Sequence, residues 1–221
     1  IFVMVLAFVI AVSGLAYAGF KVDDCDDGDA QTIKGGWWFT YNDKDQKGNS
    51  VIEPAPGKFE MSKPGYGGKG YAAKIKGKAG NKLGWDYLGM GCTLTKESSC
   101  PDMKAVDISK YKTLEFKAKG RAAGGRLTVR IPYVASEKCG ENYSTKTLTD
   151  WADYEAAITA DVREEWTTIK LDLRKDFTQP QWAKKKVRIN KVLKNAHNIT
   201  FAFSSADGAP IELWIDDIEF K

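Results

Sequence analysis

Short runs in which every second residue is apolar recur along the chain, and they constrain its fold more than any other feature. Thr113 to Lys119 sets Leu114, Phe116 and Ala118 against Glu115, Lys117 and Lys119. Arg126 to Ile131 sets Leu127, Val129 and Ile131 against Arg126, Thr128 and Arg130. Ile169, Leu171 and Leu173 repeat the pattern, as do Ile199, Phe201 and Phe203. Successive side chains of a strand point to opposite faces, so this alternation predicts half-buried strands. Gly67-Gly68, Gly77 to Gly80, Gly124-Gly125 and Asp207-Gly208 mark the turns between them. With Lys21–Cys25, Trp37–Asn42, Tyr71–Gly77, Trp85–Leu94 and Glu212–Phe220, the count reaches nine or more strands. Many short strands separated by turn signals predict an all-β sandwich or barrel. Helix is confined to a turn or two within Leu148–Ala157 and Trp182–Leu193.

The first twenty residues carry no charge, Ile1 to Val12 are almost all apolar, and Ala16-Tyr17-Ala18 follows. That pattern predicts a signal peptide over 1–18, a secreted protein and no membrane attachment after cleavage. A retained anchor is the alternative. Residues 19–221 then form one domain, without a visible linker or repeat. A net charge of +4 from 33 basic and 29 acidic residues excludes a nucleic-acid footprint. The run Lys184-Lys185-Lys186 with Arg188 reads as a solvated loop or helix. Cys25, Cys92, Cys100 and Cys139 suggest disulfides in an exported chain, with Cys92–Cys100 weakly favoured and the connectivity open. A thiolate metal site is disfavoured, with no C-x-x-C pair and one histidine.

The ends of this region match in character: Val22-Asp23-Asp24-Cys25-Asp26 opens it and Leu213-Trp214-Ile215-Asp216-Asp217-Ile218-Glu219-Phe220 closes it. Between them come Gly36 to Tyr41, Tyr111 to Phe116, Trp166 to Ile169, Arg174 to Pro180 and Ile199 to Phe203. In that order these segments resemble family 11 carbohydrate-binding modules and their jelly-roll relatives over nearly all of Asp23 to Phe220. The resemblance implies a two-sheet antiparallel jelly roll, terminal strands lying side by side, and a structural calcium ion between them. Asp24 and Asp26 share a strand face, and pairing of the terminal strands would bring Asp216 beside them. Carboxylates and backbone carbonyls suit calcium, and a solvated acidic edge is the alternative.

The resemblance also implies a polysaccharide, most naturally a β-glucan, as partner. A glucan offers weakly apolar ring faces and polar edges, so its binder needs aromatic platforms and charged or amide groups. The family's Arg-x-Asp-Tyr-Gln-Pro segment is matched by Arg174, Asp176, Phe177 and Gln179, with Thr178 inserted. Its Asp-Ser-Ile-His segment aligns with His197 to Thr200, offering Asn198 and Thr200, while Tyr41 falls near one family ligand tyrosine and Trp85 or Tyr87 near another. Arg130 and Tyr133 are either cleft-lining or solvated, and Trp182 sits in a loop, where a tryptophan has less structural excuse. Of Trp37 and Trp38 one is expected in the core and one outside, and Trp166, Trp214 and Phe201 are expected in the core. His197 reads as a surface or turn residue.

Catalysis is not expected. The jelly-roll β-glucanases carry a Glu-x-Asp-x-Glu strand; here Asp217 and Glu219 have the spacing, but Ile215 stands where the first glutamate must be. No nucleophile motif surrounds His197, and no phosphate loop is present. The rival readings are a surface or filament subunit capable of self-assembly and, less favoured, a β-glucan hydrolase.

Overall fold

In the computed structural model, residues 18–98, 104–132 and 152–221 are described. The predicted leader, Tyr133, Cys100 and Cys139 lie outside them. The alternating runs become twelve strands: β1 (Phe20–Asp23), β2 (Trp38–Asn42), β3 (Val51–Glu53), β4 (Met61–Ser62), β5 (Ala72–Lys78), β6 (Asp86–Thr93), β7 (Thr113–Arg121), β8 (Arg126–Ile131), β9 (Tyr154–Ala157), β10 (Thr167–Asp172), β11 (Asn198–Ser205) and β12 (Pro210–Phe220).

All pairings between them are antiparallel. One sheet runs β10-β7-β12-β5-β3, with β1 on β12 and β4 on β5; the other runs β2-β6-β11-β8-β9. The two sheets stack as a jelly-roll sandwich, with their apolar faces turned inward. Phe116 of β7 meets Phe201 of β11 edge to face, centroids 5.3 Å apart, and so joins the two layers. Leu88, Met90, Leu127, Val129, Phe203, Ile75, Leu213 and Ile215 complete the buried interior.

The terminal strands pair as expected, Phe20 opposite Phe220 and Lys21 opposite Glu219. A polar contact ties the sheets behind them. The Trp38 indole on β2 donates to Asp23 Oδ2 on β1 at 2.6 Å, and the Cys25 amide donates to Oδ1 at 3.2 Å. Burial pushes the Asp23 carboxyl up to about 6.

Several expectations need correction. Among the described residues the α-helix is the single turn Ile189–Leu193 (α1), and Tyr154–Ala157, placed within a possible helical turn, is an edge strand. Trp166 and Trp214 are not core residues. Leu213 and Ile215 take the inward positions of β12, so Trp214 between them faces out, and both indoles are only partly covered. His197 is buried, not a surface residue, and burial holds its imidazole down at about 4. Cys92 and Cys25 point into the core as free thiols, and Cys100, the favoured partner of Cys92, lies outside the described residues. Trp38 is buried and Trp37 half exposed, as the alternation requires.

Candidate functional site

The outward face of the five-stranded sheet is a trough, and its shape follows from residue parity. On β6, Leu88, Met90 and Cys92 point inward, leaving Tyr87, Gly89, Gly91 and Thr93 outside. Directly opposed residues in antiparallel strands share a face. One row across the sheet therefore reads Phe39, Gly91, Thr200, Arg130 and Glu155. The next reads Tyr41, Gly89, Ala202, Thr128 and Ala157, and a third reads Tyr87, Ser204 and Arg126.

Small side chains make the floor of this trough. A β-carbon on Gly89 would come within 2.6 Å of the Tyr41 hydroxyl, and one on Gly91 within 2.9 Å of Phe39 Cζ. The two rings thus lean over the glycines, which only residues lacking a side chain permit. Phe39 and Tyr41 are 6.2 Å apart by ring centroid, Tyr41 and Tyr87 6.2 Å, and Tyr87 and Trp85 6.0 Å. The last pair is nearly coplanar in orientation, at 15°, and Trp85 is 55% exposed. One wall is a continuous aromatic ladder.

The opposite wall is charged. Arg126 Nη1 lies 2.6 Å from Glu155 Oε1, and Arg130 Nε 3.3 Å from Oε2. A carboxylate with only 9% of its side chain exposed is shared by two guanidiniums, which holds both arginines along the trough. Tyr41 is hydrogen-bonded to Thr200 at the floor, and burial pushes its hydroxyl up to about 12, so it stays protonated at any ordinary pH. Aromatic faces along one side and fixed polar groups along the other are what a chain of pyranose rings requires.

Tyr41, Trp85, Tyr87, Arg130, Asn198 and Thr200, all read from the sequence, meet on this face or at its rim. The Arg174 segment lies apart from the ladder, and its side chains are engaged within the protein. Arg174 donates from Nη1 to the Tyr111 carbonyl at 2.9 Å, from Nη2 to the Ser109 carbonyl at 2.5 Å and from Nε to Asn190 Oδ1 at 3.2 Å. Asp176 accepts the Asp172 amide at 2.7 Å within its own turn. Phe177 is 2% exposed.

The inserted residue supplies the reason. Glu155 and Thr178 exchange backbone hydrogen bonds of 2.9 and 3.0 Å, which extends the sheet past β9. Thr178 therefore shares the trough face with Glu155, and its neighbour Phe177 turns into the core. Gln179 pins the following loop through the Ala152 and Lys185 carbonyls and the Val187 amide. Arg174, Phe177 and Gln179 do border an open hollow of about 630 Å³ with Tyr154 and Ile189, apart from the aromatic ladder. Trp182 stands 63% exposed in the same loop.

The calcium set also departs from expectation. Asp24 turns to Lys21, with Oδ2 2.7 Å from Nζ. Asp216 accepts the Tyr66 amide on Oδ2 and the Asp217 amide on Oδ1, both at 2.8 Å. Among the described residues no three aspartate, glutamate, histidine or cysteine side chains are placed to share a metal ion. Asp24, Asp26 and Asp216 as a set do not fit calcium. Asp217 and Glu219, the pair considered for hydrolysis, belong to β12 in the other sheet, away from the trough.

Phe39, Gly89, Gly91, Arg126, Glu155 and Thr178 were not singled out from the sequence. The signal for the glycines was present: Tyr87-Leu88-Gly89-Met90-Gly91-Cys92 alternates core residues with the smallest residue, which marks a close approach.

Residues 30–221 match the model of the family described as carbohydrate binding domain 30. Among solved structures, the chain is similar to a family 11 carbohydrate-binding module of Clostridium thermocellum in complex with a β-1,3-1,4-mixed-linked tetrasaccharide. Identity is 14%, the TM-score 0.55, and the match covers 91% of this chain and 94% of that one. The family 30 module of the cellulosomal cellulase Cel9D-Cel44B of Clostridium thermocellum matches at 18% identity and TM-score 0.54, covering 92% and 97%. A β-1,2-glucanase of Parabacteroides distasonis matches at 12% and 0.53 over 91% of this chain and 25% of its own length. At these identities the likeness is one of fold. No curated protein matches the chain.

Proposed function

This chain belongs to the carbohydrate binding domain 30 family, and on that footing we propose that it binds an unbranched β-glucan in the trough of its five-stranded sheet without cleaving it. The observation that carries the reading is the Trp85–Tyr87–Tyr41–Phe39 ladder facing the Arg126–Glu155–Arg130 rail across a floor of Gly89, Gly91 and Ala202. Sugar faces stack on the ladder, and ring hydroxyls bond to the guanidiniums and to Tyr41. The structural neighbour solved in complex with a mixed-linked tetrasaccharide makes a neutral β-glucan the first ligand to try.

The charges on the trough support binding without hydrolysis. A glycosidase needs one carboxyl as acid and another as base or nucleophile at the scissile bond. Glu155 is ion-paired to two arginines, which suits it to hold them and not to carry a proton. The uncharged start of the chain, with Ala16-Tyr17-Ala18, supports action outside the cell.

Native electrophoresis through gels containing mixed-linkage β-glucan tests the reading. Retardation of the chain with no release of reducing ends is expected. Free migration through every neutral glucan offered would remove it, and release of reducing ends would replace it with the hydrolase.

A further inference from the structure

The outward face of the seven-stranded sheet has a different chemistry. On β12 the outward residues Glu212 and Trp214 are flanked by Lys76 and Lys74 of β5 and by Arg121 and Lys119 of β7. Lys117 lies one step further along β7, and Lys78 one step along β5. Cations outnumber carboxylates here: Lys74 pairs with Glu212 at 3.1 Å and Arg121 with Glu164, while Lys76, opposite Glu53, Lys117, opposite Asp216, and Lys78 and Lys119 form no ion pair among the described residues.

Aromatic rings are interleaved with these cations. The Lys74 and Lys119 ammoniums lie 4.3 and 4.4 Å from the Trp214 ring centroid. Lys119 also lies 4.9 Å from Trp166, and Lys117 4.5 Å from Tyr66. Tyr66 and Trp166 in turn meet edge to face, 5.9 Å apart. Cation–π attraction holds each ammonium near one position, so much of the entropy a free lysine would lose on binding is already lost.

We propose that this face is a second glycan-binding surface, for a carboxylate-bearing polysaccharide. The partner must be anionic, because the face is cationic and its aromatic faces are taken up by ammoniums. It must be extended, because the cations stand along two strands, β5 and β7, on either side of β12. Lys74 and Lys119 stand directly opposite Trp214 on either side of β12, so the cations line up across the strands in a row that a chain with a carboxylate on each sugar can follow. A nucleic acid fits less well, because its bases stack on open ring faces and the central Trp214 ring carries the Lys74 and Lys119 ammoniums.

The glucan trough lies on the other sheet, so the two surfaces can be tested apart. The assay is native electrophoresis at low salt in gels containing polygalacturonate, and in parallel gels containing neutral β-glucan. The wild-type chain is expected to be retarded by polygalacturonate, and added salt should abolish this. The double variant Lys117→Gln/Lys119→Gln should lose about fivefold or more in affinity for the uronate, the scale of two exposed ion pairs, with unchanged β-glucan retardation. Trp85→Ala should retain full uronate binding. The proposal is overturned if the double variant binds the uronate as the wild type does, or if Trp85→Ala abolishes uronate binding. Retardation by single-stranded DNA but not by polygalacturonate would also overturn it.

Discussion

Arg130 and Glu155 stand opposite each other on β8 and β9, with Nε 3.3 Å from Oε2, and the same carboxylate receives Arg126 Nη1 at 2.6 Å. The pair makes one wall of the trough rigid. Glu155→Gln keeps the shape and removes the charge. Because Arg126 remains half exposed, the loss of stability is expected to be modest, about 1–2 kcal/mol, or a melting temperature lower by roughly 2–8 °C. Affinity for β-glucan should fall by more than that change alone would suggest, as both guanidiniums lose their fixed direction. A variant that binds glucan as the wild type does would separate the rail from the ligand.

Trp85 carries the opposite signature. It is 55% exposed and stacks on Tyr87, so its removal leaves the core untouched. Trp85→Ala should reduce glucan affinity about tenfold or more, with the melting temperature within a degree or two of wild type. Isothermal titration with a mixed-linkage oligosaccharide checks this; equal affinity would take the ladder out of the site.

Arg174 and Phe177 are expected to act on stability and not on binding. Arg174 spans the Ser109 and Tyr111 carbonyls and Asn190, and Phe177 fills the core. Arg174→Ala should cost about 1–2 kcal/mol and Phe177→Ala about 3–5 kcal/mol in urea unfolding. The folded fraction of Arg174→Ala should keep wild-type retardation in β-glucan gels. Lost retardation with an unchanged unfolding midpoint would return Arg174 to the ligand.

These cases show where the sequence was legible and where it was not. Strand parity is local, so Arg130 could be placed on the outward face of β8 and Phe201 on the inward face of β11 from their neighbours alone. The same parity puts Trp214 outside between Leu213 and Ile215, so the expectation of a core Trp214 took the alternation of β12 in the wrong phase. Phe177 was misplaced because the bridge between Glu155 and Thr178 joins segments far apart in the chain, and a one-residue insertion there inverts every facing. Glu155 was missed for a related reason: its importance comes from two arginines on the adjacent strand, a pairing no local pattern announces. Asp24 was drawn away from the calcium set by Lys21, three residues earlier.

The last prediction concerns Asp23, whose carboxyl links the sheets through the Trp38 indole at 2.6 Å. Burial raises its folded pKa to about 6 from an ordinary value of 3.8. Between these values the folded state holds a proton that the unfolded state has released. Stability from this group is therefore fully present below about pH 4 and is lost as the pH rises toward 6. Asp216, also raised to about 6 by burial, acts in the same direction, whereas Glu115, held low by Lys170 and Lys221, acts in the opposite one. The overall profile mixes these groups, so a single substitution must isolate Asp23. Asp23→Asn resembles the protonated side chain and cannot titrate. Its melting temperature relative to wild type should rise between pH 4 and pH 6 and level off above. Thermal scans of both proteins across that range decide the matter, since a flat or falling difference would mean that the carboxyl titrates as an ordinary aspartate despite its burial.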